Sequence, residues 1–311
     1  MKFSVCIGSV RPAPLQLAIE AIRRQTWEDW ELVVVGQGDD AALAAVGAEA
    51  MAQDKRVRYI HLEKRGVSLA RNVAMHAADG DIVAITDDDC EASADWLATL
   101  AECFQTNPNV DVIGGSVVAP DSRRRWLSKC PTLIPAEALY DPVASGRRPP
   151  AGWNWWTANV ALRPSVVQQA GPFDECFGPG AVFRVVTDVD YKLRLEANGV
   201  RMLSTPRAVV FHTSGYRSGF RALWKRSIDY SYGMGALAGK LTLQGDPRGR
   251  EWLKTNQREL AGWLHRPRPE RQGLSLVKLW TFSRGYRQCL RNYRLDTALG
   301  VLQRLARPLA G

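Results

Sequence analysis

Apolar runs with no polar interruption constrain this chain more than any other feature. ELVVVG (Glu31 to Gly36) and DIVAIT (Asp81 to Thr86) each carry four such positions in their centres. A strand without alternation is buried on both faces, and that requires helices on both sides of a parallel sheet. The intervening segments have helical character. PLQLAIEAIRRQ sets Leu15, Leu17, Ile19 and Ile22 close to one face. Asp40 to Ala52 is Ala-rich, SLARNVAMHAA stops just before Gly80, and Ala94 to Gln105 continues the pattern. With FSVCIGSV and VRYIHL as further strands, the order is β-α-β-α-β-α-β. The expected fold class is α/β, with a mostly parallel, doubly wound sheet. In such sheets ligands bind beyond the carboxyl ends of the strands.

One of those ends carries AITDDDCEASADWL, with Asp87, Asp88 and Asp89 side by side. Adjacent carboxylates repel one another unless something offsets their charge. A cap for the following helix accounts for one Asp. A divalent cation accounts for all three, and hard oxygen ligands favour Mg²⁺ or Mn²⁺, commonly shared with substrate phosphates.

Past Val110 the pattern loosens. VDVIGGSVVAP reads as a strand. Ser122 to Pro150 is polar and broken by five prolines, a candidate lid. NWWTANVALRP reads as strand or turn, TDVDYKLRLEANG as a helix ending at Gly199, and RAVVFHT as a last strand.

The motifs around the acidic stretch, taken in order, resemble the inverting family 2 glycosyltransferases of the GT-A fold. Those motifs are VCIGSVRP, RRQTWEDWELVVV, GVSLARN, GDIVAITDDD, TANVALRP, GPFDE, TDVDYKLRLEANG and VVFH. The resemblance covers roughly residues 3–215. It implies a metal-dependent transfer from a nucleoside-diphosphate sugar to a glycan or lipid-linked oligosaccharide acceptor. The implied setting is bacterial cell-surface or exopolysaccharide biosynthesis. Asp89 is the implied direct metal ligand, joined by Asp87 and His212, with Mn²⁺ or Mg²⁺ as cofactor. Arg11, Arg71, Asn72, Asp87 and Asp88 fall on the nucleotide-sugar side.

The family commonly has an Asp after the second strand that reads the base. VVVGQGDD has Gly36 and Gln37 there, so Gln37, Asp39 or Asp40 is the substitute expected. The base that takes the acceptor's proton matches Asp188, with Asp190 as the fallback. Thr187 stands where the family has Glu. Trp153, Trp155, Trp156 and Asn159 are candidates for acceptor binding, and core packing is the alternative for the tryptophans.

The chain is divided in charge. Residues 1–200 carry 20 basic and 26 acidic side chains, a balance of −6; residues 201–311 carry 21 and 6, a balance of +15. The expected division is a catalytic domain at 1–215 and a basic, amphipathic helical region at 216–311. LVKLWTFSRGYRQCLRNYR and TALGVLQRLARPL are both expected to be helical, with Leu299, Leu302 and Leu305 on one face of the second. Basic amphipathic helices fit an anionic membrane surface. Arg interleaved with Trp and Tyr also fits single-stranded nucleic acid, although no recognised motif accompanies it. A nucleotidyltransferase, for which GSVRPAP is a poor match to a phosphate-binding loop, and a non-catalytic scaffold that binds nucleotide sugars are the remaining alternatives. No run is long and apolar enough to span a bilayer. Six scattered cysteines without a C-x-x-C pair suit a reducing cytoplasm. The expected location is therefore cytoplasmic, with contact at the inner membrane face.

Overall fold

The computed structural model describes residues 1–119, 127–129, 132–213, 216–264 and 269–306. The elements, in order, are β1 (Phe3–Ser9), α1 (Pro12–Arg23), β2 (Trp30–Gln37), α2 (Ala41–Gln53), β3 (Val57–Leu62), α3 (Val67–Ala77), β4 (Ile82–Asp87), β5 (Cys90–Ala92) and α4 (Trp96–Thr106). They continue with β6 (Val112–Val118), β7 (Leu127–Lys129), β8 (Ala138–Tyr140), β9 (Asn159–Leu162), α5 (Ser165–Ala170), α6 (Thr187–Ala197), β10 (Met202–His212) and β11 (Tyr216–Ser218). The last are α7 (Phe220–Leu243), α8 (Pro247–Leu264), α9 (Pro269–Asn292), β12 (Tyr293–Asp296) and β13 (Val301–Arg304).

The chain divides into two compact units. One holds residues 1–171 and 191–218; the other holds 172–190 and 219–311. The main junction lies three residues from the sequence-based boundary at 215/216. Residues 172–190 belong with the C-terminal helices, a grouping that sequence order does not suggest.

The first unit is built on one large sheet in the order β3-β2-β1-β4-β9-β6-β10-β5, with β8 beside β10. Strands β1 to β4 are parallel, as the unbroken apolar runs require. Strand β9 runs antiparallel between β4 and β6. Phe3, Val5, Ile7, Leu32, Val34, Ile82 and Ala84 share one core with Leu15, Ile19, Leu97, Leu100 and Phe104 from the helices. The sheet winds from β1 to β3 in one direction, then returns to place β4 on β1's other side. That reversal is a topological switch point, where the strand ends leave a crevice for ligands.

Trp155 is fully buried beside β6. A Cβ on Gly114 would lie 2.0 Å from the Trp155 Cβ and 3.3 Å from its Cα. Only glycine lets the two backbones approach this closely. Of the proline-rich stretch, residues 122–126, 130 and 131 lie outside the described residues. Its remainder is tied down: β8 pairs with β10, and Asp141 accepts from Val143 and Ala144 N–H at 3.0 Å each.

In the second unit α7 crosses α9 at glycines. A Cβ on Gly235 would meet the Phe282 carbonyl at 2.0 Å, and one on Gly285 would meet that of Tyr232 at 2.1 Å. The segment expected as a last helix is instead a hairpin of β12 and β13, with residues 307–309 outside the described residues. Asp296 explains the change. Its Oδ1 accepts from Ala298 and Leu299 N–H at 3.1 Å each, a local turn that competes with helix. The Leu302 N–H donates to Asp174 Oδ2 at 2.8 Å, and the Leu302 side chain is buried. No helix among the described residues is long and apolar enough to cross a membrane.

Overpacking at the Gly114 contact is expected to cost about 1–3 kcal/mol. Gly114→Ala should therefore lower the thermal midpoint by several degrees in a calorimetric scan. An unchanged midpoint would mean that Trp155 does not sit against β6.

Candidate active site

The acidic stretch lies at the switch point, and each carboxylate has its own partners. Strand β4 ends at Asp87, which accepts from Arg71 Nη2 at 2.8 Å. Arg71 comes from α3 and is buried. Asp88 accepts from Ser9 Oγ at 2.6 Å and from Arg11 Nε at 3.3 Å, with Arg11 Nη2 closing a two-point contact on the other oxygen. Ser9 is the last residue of β1, and Arg11 precedes the proline that starts α1. Asp89 lies 3.0 Å from Arg11 Nη2 and 3.2 Å from His212 Nε2.

The pairing sets the electrostatics. Burial alone would raise the Asp89 carboxyl, but the His212 hydrogen bond and charge, with Arg11, bring it down to about 2. Burial disfavours a charged His212, yet the bond to Asp89 and the charges of Asp89 and Asp87 outweigh this and raise its pKa. At Asp88 burial prevails over the Arg11 and Ser9 bonds, and the carboxyl titrates above its ordinary value.

His212 arrives from more than 120 residues away through an antiparallel ladder. It pairs with Cys90, Phe211 with Glu91, and Val210 with Ala92. Thr213 adds two bonds to the Asp89 carbonyl, from N–H at 2.9 Å and Oγ1 at 3.0 Å. The end of β10 is thereby locked to the acidic stretch.

Asp89, Cys90 and His212 present donor atoms within 4.8 Å of one another, a candidate metal site. The residues fit a divalent cation. His212 Nδ1 is buried with no hydrogen-bond partner among the described residues. The carboxylate suits Mn²⁺ or Mg²⁺, and the imidazole beside it suits a transition metal. Cys90 fits less well, because burial pushes its thiol far above the ordinary value and keeps it protonated. Sequence reading missed Cys90 and Ser9. The signal for Ser9 was its position at the end of the strand beside β4.

Gln37 and Asp39 are placed differently from each other. Gln37 is buried, and its Oε1 accepts from the Gly66 N–H at 2.6 Å, tying β2 to the start of α3. Asp39 is exposed, and Asp40 caps α2 through Ala42 and Leu43 N–H. Gly36 has a packing reason: a Cβ there would lie 2.0 Å from the Tyr59 hydroxyl. Asn72, one turn into α3, is half-buried beside Arg71.

The candidate acceptor residues separate by burial. Asn159 is wholly buried. Its Nδ2 donates to the Ser116 and Ala208 carbonyls at 2.8 and 3.0 Å, and its Oδ1 accepts from Trp96 Nε1 at 2.9 Å. That amide cross-links the sheet. Trp155 is core. Trp153 and Trp156 are half-buried, and Lys192 Nζ sits 5.2 Å from the Trp156 ring centre while donating to Asn154 Oδ1 at 2.6 Å. The indole N–H groups of all three tryptophans lack hydrogen-bond partners among the described residues.

In the second unit, Asp188 and Asp190 open α6. They differ sharply. Asp190 is buried and accepts from Lys240 Nζ at 2.5 Å; the same ammonium donates to Asp174 Oδ2 at 2.8 Å. Lys240 is fully buried. Asp188 is half-exposed. Asp190 is committed to an internal ion pair.

With this geometry in place, the comparisons are specific. The glycosyl transferase family group 2 pattern matches residues 82–292, and the glycosyl transferase family 2 pattern matches residues 9–148. The chain belongs to glycosyltransferase family 2 and is a glycosyltransferase. It is 29% identical over 230 residues to a glucosyl-dolichyl phosphate glucuronosyltransferase of Haloferax volcanii, covering 69% of this chain and 72% of that protein. Among solved structures, S. aureus TarS 1–349 in complex with UDP-GlcNAc is similar with a TM-score of 0.63 at 16% identity, covering 93% of this chain and 83% of that one. A mannosyltransferase from Pyrobaculum calidifontis in complex with GDP-Man and Mn²⁺ is similar with a TM-score of 0.54 at 13% identity, over 92% and 86%. At those identities the structural likeness establishes the fold.

Removing one partner of a buried ion pair typically costs about 3–5 kcal/mol, because the remaining charge is left unpaired. Lys240→Met strands Asp174 and Asp190 together and should lower the denaturant midpoint accordingly. Lys240→Met combined with Asp190→Asn should recover part of the loss. Equal midpoints for wild type and Lys240→Met would refute the pairing.

Proposed function

We propose that the chain is a metal-dependent, inverting glycosyltransferase. It moves a sugar from a nucleoside diphosphate to a glycan or lipid-linked oligosaccharide acceptor in cell-surface or exopolysaccharide assembly. The observation that carries this reading is the switch-point cluster of Asp87, Asp88 and Asp89, held by Arg71, Ser9 and Arg11, with Asp89 also braced to His212. The lipid-linked alternative draws support from the Haloferax relative, whose name specifies a glucosyl-dolichyl phosphate acceptor.

A divalent cation held by Asp89 and His212 would offset the negative charge of the departing diphosphate. Arg71, buried and oriented by Asp87, and Arg11, half-exposed beside Asp88, are the cationic side chains on the donor side. A guanidinium offers phosphate two parallel donors in a fixed plane. Asn72 and the carboxylates of Asp87 and Asp88 complete the donor contacts, with Asp39 the exposed group nearest the former base-reading position.

On the acceptor side, Asp188 takes the proton of the attacking hydroxyl as its oxygen bonds to the anomeric carbon and the diphosphate oxygen leaves. Attack opposite the leaving group inverts the anomeric centre. Asp190, paired with Lys240, is withdrawn from that role. Trp153 and Trp156, both half-buried, offer aromatic faces to sugar rings.

Removal of a general base typically costs about 10²–10⁴ in rate. Asp188→Asn should lose that much transfer while keeping the thermal stabilisation given by the donor with Mn²⁺. Asp89→Asn should lose the Mn²⁺-dependent part of that stabilisation. Undiminished transfer by Asp188→Asn would remove it as the base. Failure of UDP-, dTDP- and GDP-sugars to stabilise folded wild-type protein, with or without Mn²⁺, would count against the donor class.

A further inference from the structure

Helix α9 has two faces of different chemistry. Phe282, Gly285 and Cys289 pack against α7 and are buried. On the opposite side Leu276, Trp280, Arg284, Arg287 and Arg291 recur at spacings of four, four, three and four. At about 100° per residue they occupy an arc of about 80°. All five are exposed, Leu276 by 46% and Trp280 by 56%. The stripe is graded along the axis, with two large apolar groups first and three cations after them. It extends over about 22 Å.

Among the described residues, no acidic side chain pairs with the charge on this stripe. No acidic residue occurs from Leu276 to Arg294. Among the described residues, Arg284, Arg287 and Arg291 form no ion pair. Arg284 lies 5.5 Å from the Trp280 ring centre, and Arg287 Nε reaches only the Ser283 carbonyl of its own helix. A solvated helix face normally mixes both signs of charge and hides its Trp.

We propose that this face of α9 is a docking surface for an anionic lipid bilayer. Trp280 and Leu276 enter the boundary between headgroups and acyl chains, where amphipathic aromatic side chains are favoured. Arg284, Arg287 and Arg291 lie along the headgroup phosphates. The apolar pair distinguishes this partner from nucleic acid. Phosphates would satisfy the arginines and a base would stack on Trp280, but Leu276 would stay in water. A bilayer covers all five groups. None of these five residues is assigned to the transfer chemistry, so the surface stands independently of it.

The test is co-sedimentation of the full chain with vesicles of phosphatidylcholine containing about 30% phosphatidylglycerol, against phosphatidylcholine alone and a single-stranded oligonucleotide. Binding is expected to the anionic vesicles only, weakened by added salt. Arg284→Gln/Arg287→Gln/Arg291→Gln should reduce partitioning on the order of a hundredfold. Trp280→Ser should reduce it at every salt concentration. Both variants should keep the wild-type thermal midpoint and the wild-type rate on a soluble acceptor. Absence of vesicle binding, unchanged binding by the folded variants, or binding to the oligonucleotide alone would each overturn the proposal. No donor sugar enters this readout. A failure of donor binding with intact vesicle binding would therefore remove the transferase mechanism and leave this surface standing.

Discussion

Three neighbouring carboxylates can share a strand end only if counter-groups offset their charge, and the architecture around them supplies those groups from separate elements. Asp87 meets Arg71 from α3, Asp88 meets Ser9 and Arg11 beyond β1, and Asp89 meets Arg11 and His212. None of these partners is adjacent in sequence. Parallel strands β1 and β4 must lie side by side with their carboxyl ends level, which their register provides: Gly8 stands beside Asp87. Helix α3 must come down close on β1, and there a Cβ on Gly8 would lie 2.8 Å from that of Ala70. The sheet order and the tight packing of α3 are thus conditions for a stable acidic cluster, and the cluster is the centre of the proposed chemistry.

Much of the scaffold was legible because burial leaves a local mark. Unbroken apolar runs identified β2 and β4, and amphipathic spacing identified α1 and α3. The acidic stretch could be assigned to a strand end for the same reason. Long-range pairings leave no such mark. Nothing within VVFHT signals that it will run antiparallel to the three residues following the aspartates. The approach of His212 to Asp89 was therefore reached through a family resemblance, with geometry supplying the physical cause. Lys240 was invisible too, since a lysine in an amphipathic helix reads as a solvent-facing residue until its two buried aspartates are seen.

Polar residues with two uses were the hardest to read. Gln37 and Asn159 sit among functional motifs, yet both side chains hold backbone groups inside the fold. An amide that bridges two strands and one that binds a ligand look identical in a sequence. The same ambiguity governed the segment from Thr297 to Leu309. Its leucines recur at helical spacing, but Asp296 competes for the first N–H groups and turns the chain into a hairpin. Side-chain competition for the backbone, a local event, overrode a periodic pattern.

The charge division follows from these structural demands. The first unit carries 22 basic and 22 acidic side chains, so its charges balance within the unit. The second unit buries one cation, Lys240, between two acids, and its hairpin adds a backbone donor to Asp174. The positive excess of the C-terminal region must then lie mainly on its surface, since burying an unpaired cation is far more costly than exposing it. On α9 that excess is confined to one face because the other is committed to glycine-mediated contact with α7. Close helix packing on one side and uncompensated arginine on the other are two consequences of a single helix. The first fixes the orientation of the second, so a partner meeting this face meets Trp280 and the arginines in a set order.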